Sequence, residues 1–137
     1  MKDHNQHVEK ILNNISKDNL FAIAEFSGSF ACAGINGSTS FYRHESGIFI
    51  VNAVFGLPDN TPCYSNDNSY IIQIHRCRQC ILKLPDILGN RGFAFSLNYT
   101  EEIKAKELIG LTLSIYATCR KKYETEKIAS GIIVATH

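Results

Sequence analysis

Tyr70-Ile-Ile-Gln-Ile-His-Arg-Cys-Arg-Gln-Cys-Ile-Leu-Lys-Leu-Pro85 is the stretch whose reading decides the fold. Its first half alternates β-branched residues with polar ones, the period of two that sends successive side chains to opposite faces of a strand. Gln73 and His75 then share one face, joined by Cys77 if the strand runs on, while Ile72, Ile74 and Arg76 take the other. Two histidines spaced i, i+2 on such a strand set their imidazoles side by side, a common way to hold a transition metal. Here one imidazole is kept, His75, and Gln73 stands where the other would be.

Outward from this strand, apolar runs recur with Gly, Asn and Pro between them, at residues 21–27, 35–43, 47–55, 92–98, 108–117 and 128–136. Short strands at that spacing, punctuated by turn signals, predict an all-β antiparallel sandwich or barrel. Residues 37–47 read as a hairpin, with Gly47 supplying a permissive φ in its turn. Pro58 ends the third run, residues 89–92 form another turn, and a single helical turn within 101–110 stops at Gly110. Upstream, Val8, Ile11, Leu12 and Ile15 follow helical spacing. Residues 1–20 are therefore expected to form a short helical extension, ahead of a β domain at 21–137.

A chain of 137 residues fits one domain with a real core. Hydrophobic content of 45% against 20% charged residues is that of an ordinary soluble globular protein. A formal net charge of +1 argues against nucleic acid or an anionic membrane as partner. No apolar run approaches the ~18 residues of a membrane span. The first residues, Met1 to His7, lack the apolar core of a secretory signal, so a cytoplasmic location is expected. Cys32, Cys63, Cys77, Cys80 and Cys119 are an odd number, and in a reducing compartment they are expected as thiols rather than a disulfide framework, with a single disulfide left open.

Taken in order, Ile35-Asn-Gly-Ser-Thr-Ser-Phe-Tyr42, Gly47…Gly56-Leu-Pro58, Ile72-Gln-Ile-His75, Leu84-Pro85, Leu88-Gly-Asn-Arg-Gly-Phe-Ala-Phe95, Leu108-Ile-Gly110 and Lys127-Ile-Ala-Ser-Gly131 form a pattern. It resembles the copper/zinc superoxide dismutase family, most closely its short, divergent bacterial branch, over about residues 21–136. The resemblance implies a Greek-key β-sandwich of about eight strands. It also implies superoxide dismutase activity, and there the residues depart from the family. The family's metal strand reads roughly Phe-His-Ile-His, with both histidines on copper. Gln73 replaces the first with a neutral amide, and His75 retains the second. The long zinc loop is cut to residues 76–84, which hold no histidine and no acid, and Lys83 stands where an aspartate is expected. Tyr116 matches the last copper histidine, Lys127 the anion-steering cation, and Ser130 a family cysteine. Dismutation needs a redox metal in a histidine cage with an open position. With one copper ligand in four and no zinc site, the implied chemistry is expected to be lost.

A replacement site is conceivable at His75-Arg-Cys77-Arg-Gln-Cys80. One imidazole and two thiolates, with Cys119 as a fourth ligand, suit zinc or cuprous copper, and Arg76 and Arg78 favour thiolate. The alternatives are a redox-active dithiol and a shortened loop with idle thiols. His4 and His7 could share a face of the N-terminal helix, although a solvated tail suits them better. His44 belongs at a hairpin tip, and Tyr116 reads as an aromatic plugging the vacated metal cavity.

Three functions follow from these residues. The first is a superoxide dismutase-like binding or structural module without cofactor. Its core would be built from Phe41, Ile48, Ile50, Phe93, Phe95, Leu113 and Ile115, and a face or edge would be open to homodimer formation. The second is a soft-metal protein using His75, Cys77, Cys80 and Cys119. The third is residual superoxide dismutase activity through His75, with His4 and His7 recruited.

Overall fold

The computed structural model describes residues 17–29, 32–57, 69–119 and 124–136. The strands are β1 (Leu20–Gly28), β2 (Asn36–His44), β3 (Gly47–Phe55), β4 (Ser69–Arg76), β5 (Gln79–Lys83), β6 (Ile87–Leu88), β7 (Phe93–Thr100), β8 (Thr112–Cys119) and β9 (Glu124–Ala135). One helical turn, α1 (Ala105–Leu108), precedes β8, and Gly110 follows it with φ 88°. All strands join one antiparallel sheet in the order β5-β4-β8-β9-β1-β2-β3-β7, with β6 also on β4. The sheet curls into a half-barrel.

The alternation in the sequence explains which side is inside. Tyr70, Ile72 and Ile74 on β4 pair with Ala117, Ile115 and Leu113 on β8, and all six are buried. Ala22, Ala24 and Phe26 on β1, Phe41 on β2, Ile48, Ile50 and Val54 on β3, and Ala129 and Ile133 on β9 continue that inner face. Each fully buried Ile, Leu or Phe contributes about 1.5–3 kcal/mol. The first and last strands are neighbours, with Ala22 opposite Ala135 and Gly28 opposite Ala129. They approach so closely that a Cβ on Gly131 would land on the Glu25 carbonyl, which only glycine avoids.

At the β3–β7 end the usual polarity is turned over. The inward row of β7 is Ala94, Ser96, Asn98 and Thr100, small or polar, whereas Phe93, Phe95, Leu97 and Tyr99 point outward. β3 is apolar on both faces except at buried Asn52. Asn52 sits in a polar ladder: its Oδ1 accepts from Thr39 Oγ1 at 2.7 Å, and its Nδ2 donates to Ser96 Oγ at 2.8 Å. Outside, Phe49 pairs with Tyr99, Val51 with Leu97, Ala53 with Phe95 and Phe55 with Phe93.

Several expectations need correction. Phe93 and Phe95 are not core residues; they keep about two-fifths of their surface exposed. The β2–β3 turn is Glu45–Ser46, with Glu45 at φ 53°, and Gly47 is the first residue of β3. The run at 108–117 opens with the last residue of α1 and a turn, and its strand starts only at Thr112. The segment after His75 is no loop. It is a tight hairpin into β5, with Arg76 opposite Gln79. Cys32 is disulfide-bonded rather than a thiol. The helix expected at residues 8–15 lies outside the described residues, which begin with a 3-10 turn at Lys17–Asn19. The turn at 89–92 forms as expected: Asn90 pairs with Phe93 across Arg91 and Gly92, both at positive φ, as in a type I′ turn.

Candidate functional site

Because Ile72 and Ile74 face the core, Gln73 and His75 face outward from β4. Register then sets their neighbours, since directly opposed residues share a face. Gln73 lies between Lys83 of β5 and Ser114 of β8; His75 lies between Cys80 and Thr112. Tyr116, opposite Ile71, continues this outer face and pairs with Lys127 of β9. Gln73, His75, Lys83, Tyr116 and Lys127 are thus brought onto one surface, and Tyr116 lies on that outer face rather than plugging a cavity.

The imidazole at its centre is fully engaged. His75 Nδ1 is 2.9 Å from the Cys77 carbonyl oxygen, and Nε2 is 2.7 Å from Ser114 Oγ. A carbonyl only accepts, so Nδ1 carries the proton, and in the neutral ring Nε2 accepts from the serine hydroxyl. The lone pair a metal would need is therefore already used. Ser114 is completely buried beneath the histidine. A serine donating to an imidazole whose far nitrogen is held by an acceptor has the connectivity of a nucleophile–base pair. With no accessible surface on Ser114, no electrophile reaches it, and the pair acts as a lock on the hairpin.

What is locked is a strained turn. Cys77 occupies the first of the two turn positions with φ 54°, a conformation that costs a non-glycine residue about 1–3 kcal/mol. The strand does not run on to Cys77, so its thiol leaves the hairpin tip instead of joining the row of Gln73 and His75. Cys77 and Cys80 are free and exposed, flanked by exposed Arg76 and Arg78. Cys119 ends β8, whereas His75 pairs with Thr112 at its start; the length of β8, about 23 Å, separates them. Cys119 therefore cannot complete a site at His75. Among the described residues no group of three or more His, Cys, Asp or Glu side chains could hold a metal ion. The described residues do not fit the copper and zinc that the family resemblance implies. His4, His7, Cys63 and His137 lie outside the described residues, as does the Cys119 side chain.

A cleft of 240 Å³ opens where the two ends of the sheet face each other, between residues 82–85 and 98–102. Lys83, Leu84, Asn98, Tyr99 and Glu102 are among its lining residues. On the other side of Tyr99, its hydroxyl donates to Glu101 Oε1 at 3.0 Å, and its ring packs on Phe49 with centroids 4.9 Å apart. Phe55 and Phe93 pack at 5.1 Å, and Phe93 stacks on Phe95 at 6.5 Å. Sequence reasoning missed this aromatic surface. Its signal was there in the alternation Phe93-Ala-Phe-Ser-Leu-Asn-Tyr99, where the apolar set and the polar set can each be the inner one. Among the described residues no helix is long and apolar enough to cross a membrane. No protein-family model and no curated protein matches the chain.

Proposed function

We propose that this chain is a metal-free interaction module on a copper/zinc superoxide dismutase-like Greek-key scaffold. The observation that carries the reading is His75, the one imidazole at the expected ligand positions. Both its nitrogens are held by Ser114 and the Cys77 carbonyl. Supporting the scaffold is the strand order: β3 ends one meander, β4 begins on the far side of the sheet, and β7 returns to lie beside β3. Gln73 and Tyr116 lie on the outer surface with His75 and offer an amide and a phenol in place of imidazoles. Lys127 beside Tyr116 can still draw in an anion, but has no redox centre to deliver it to. The formal charge of +1 favours a protein partner over nucleic acid.

The test is the metal content of untagged protein, by elemental mass spectrometry, together with the melting temperature before and after chelation. Metal-free protein with an unchanged melting temperature is the expected result. Stoichiometric zinc or copper that disappears in Cys77→Ser/Cys80→Ser would replace this reading with a soft-metal protein. Superoxide dismutase activity after copper loading would restore the enzyme.

A disulfide at Cys32 is stable where thiols are oxidised. A cytoplasmic location therefore requires that the fold survive reductant.

A further inference from the structure

The sheet has two edge strands, β5 and β7, and they face each other across the cleft between residues 82–85 and 98–102. An exposed edge is a template for another strand, and proteins blunt it by shortness, charge, proline or a bulge. β5 uses all four. It is five residues long, carries Lys83, slips register beside His75 and stops just before Pro85. β7 uses none. Its eight residues hold no charge and no proline, and its register on β3 runs unbroken from Phe93 opposite Phe55 to Thr100 opposite Ile48.

Backbone direction shows which groups β7 leaves open. Phe93 donates to the Asn90 carbonyl at 3.1 Å and accepts from the Asn90 N–H at 2.7 Å, both on the side away from β3. In an antiparallel strand every second residue turns its N–H and C=O the same way, so Phe95, Leu97 and Tyr99 aim theirs at the open edge. Among the described residues no strand pairs with that edge. Nor does the chain zip the seam in its own register. Continuing from Asn90 opposite Phe93 puts Leu84 opposite Tyr99, but the Leu84 N–H donates to the Ile72 carbonyl of β4 at 3.0 Å, away from the seam. The two edges are out of phase.

We propose that this seam receives an extended peptide segment of a partner protein, which adds antiparallel to the edge of β7. Only an extended backbone offers donors and acceptors at the spacing of alternate residues. The outward side chains of the added strand lie beside Phe95, Leu97 and Tyr99, and its inward ones beside Ser96 and Asn98. The segment that fits therefore alternates apolar with small polar residues. Lys83 and Glu102 give the cleft lining one charge of each sign, which selects no net charge in the peptide. At 240 Å³ the cleft is below the ~300–1,000 Å³ of small-molecule pockets, and it suits a strand that enters lengthwise. It excludes the edge of a second folded sheet. The β7 of another copy brings its β3 with it, and residues 82–85 stand in that place. The proposal rests on the domain being an interaction module, whose metal content is measured separately.

The probe is a blocked heptapeptide alternating serine with valine, titrated into the full chain while amide hydrogen exchange is read residue by residue by nuclear magnetic resonance. At saturation the Phe95, Leu97 and Tyr99 amides should slow at least ~10-fold, while Ala94, Ser96 and Asn98, already turned to β3, should not change. The same peptide N-methylated at its valines has no N–H to give β7 and should not bind. Leu97→Pro removes an N–H that β3 does not use, and Ser96 before it is already extended. The fold should therefore stand by circular dichroism while binding weakens at least ~10-fold. Leu97→Lys, a charge on the open edge, serves in its place if the proline variant misfolds. Absence of alternate-residue protection at millimolar peptide would overturn the proposal, as would equal binding of the N-methylated peptide. So would slow exchange at Phe95, Leu97 and Tyr99 before any peptide is added, since the chain would then cover its own edge. A dimer that dissociates in Leu97→Pro would overturn it too, by assigning the edge to a second copy.

Discussion

His75→Phe removes both ring nitrogens and keeps a ring over Ser114, so it isolates the hydrogen bonds from the packing. Ser114 has no accessible surface and its hydroxyl bonds to His75 Nε2 at 2.7 Å. Under a phenyl ring that hydroxyl stays buried without a partner, which costs about 1–3 kcal/mol. The Cys77 carbonyl also loses its donor, but at an exposed turn water replaces it, adding roughly 0.5 kcal/mol. The total expected loss is about 2–3 kcal/mol. Ser114→Ala alone should cost about 1 kcal/mol, whereas in the His75→Phe background it should restore about 1–2 kcal/mol, because no hydroxyl is then stranded. The four proteins form a double-mutant cycle with a coupling of about 2–3 kcal/mol. Urea unfolding followed by circular dichroism and tyrosine fluorescence reads it, since the chain has six Tyr and no Trp. A midpoint shift of roughly 1 M for His75→Phe matches the slope of a chain this size. A coupling below about 0.5 kcal/mol would refute the lock and return His75 to the list of groups free to bind something else.

Other outcomes follow from single features. Cys77→Gly, at φ 54° in the hairpin tip, should stabilise the fold by about 0.5–1 kcal/mol, less than the strain released because glycine also loosens the unfolded chain; thermal melts check it. Reduction or Cys32→Ser should cost roughly 2–4 kcal/mol, lowering the melting temperature by about 6–12 °C, and an unaltered melt would show the disulfide to be dispensable. Partial desolvation, then the Glu101 hydrogen bond, holds the Tyr99 phenol above its ordinary value of 10.0. The protonated phenol therefore favours the fold below about pH 10, and that contribution fades as pH rises through the folded-state value. Ultraviolet titration of the wild type and of Glu101→Gln should show the Tyr99 ionisation moved back toward the ordinary range in the variant.

The elements with strong period-two patterns were legible. Gly47–Phe55 has the bounds expected of it, and the faces of β4 follow from Ile72 and Ile74. β5 was hidden because Cys-Arg-Gln-Cys draws attention to thiol chemistry, and because its five residues include a single buried one, Leu82. β7 was recognised as a strand but turned the wrong way. Phenylalanine is assigned to the core by default, and only tertiary packing tells that Ser96 and Asn98 face inward here. At the site, the sequence could single out His75 as the one imidazole on its strand face. It could not reveal that Ser114, thirty-nine positions away, uses up the imidazole, because that contact exists only once β4 and β8 pair in register.

The pairing of β1 with β9 also constrains the timing of folding. β1, β2 and β3 are consecutive and can zip into a meander as soon as Phe55 has been made, but the other edge of β1 waits for a strand that ends at Ala135. About 80 residues separate those two events, roughly 4–16 s at ordinary rates of synthesis. For the first part of that interval, until Thr100 has been made, Gly47–Phe55, nine residues without a charge, lacks β7 beside it, and until β9 is made it lacks a complete core beneath it. Such a segment is a template for cross-β stacking. The nascent chain is thus most vulnerable to aggregation in the middle of its own synthesis, and its yield in a cell depends on what shelters β3 until the last strand arrives.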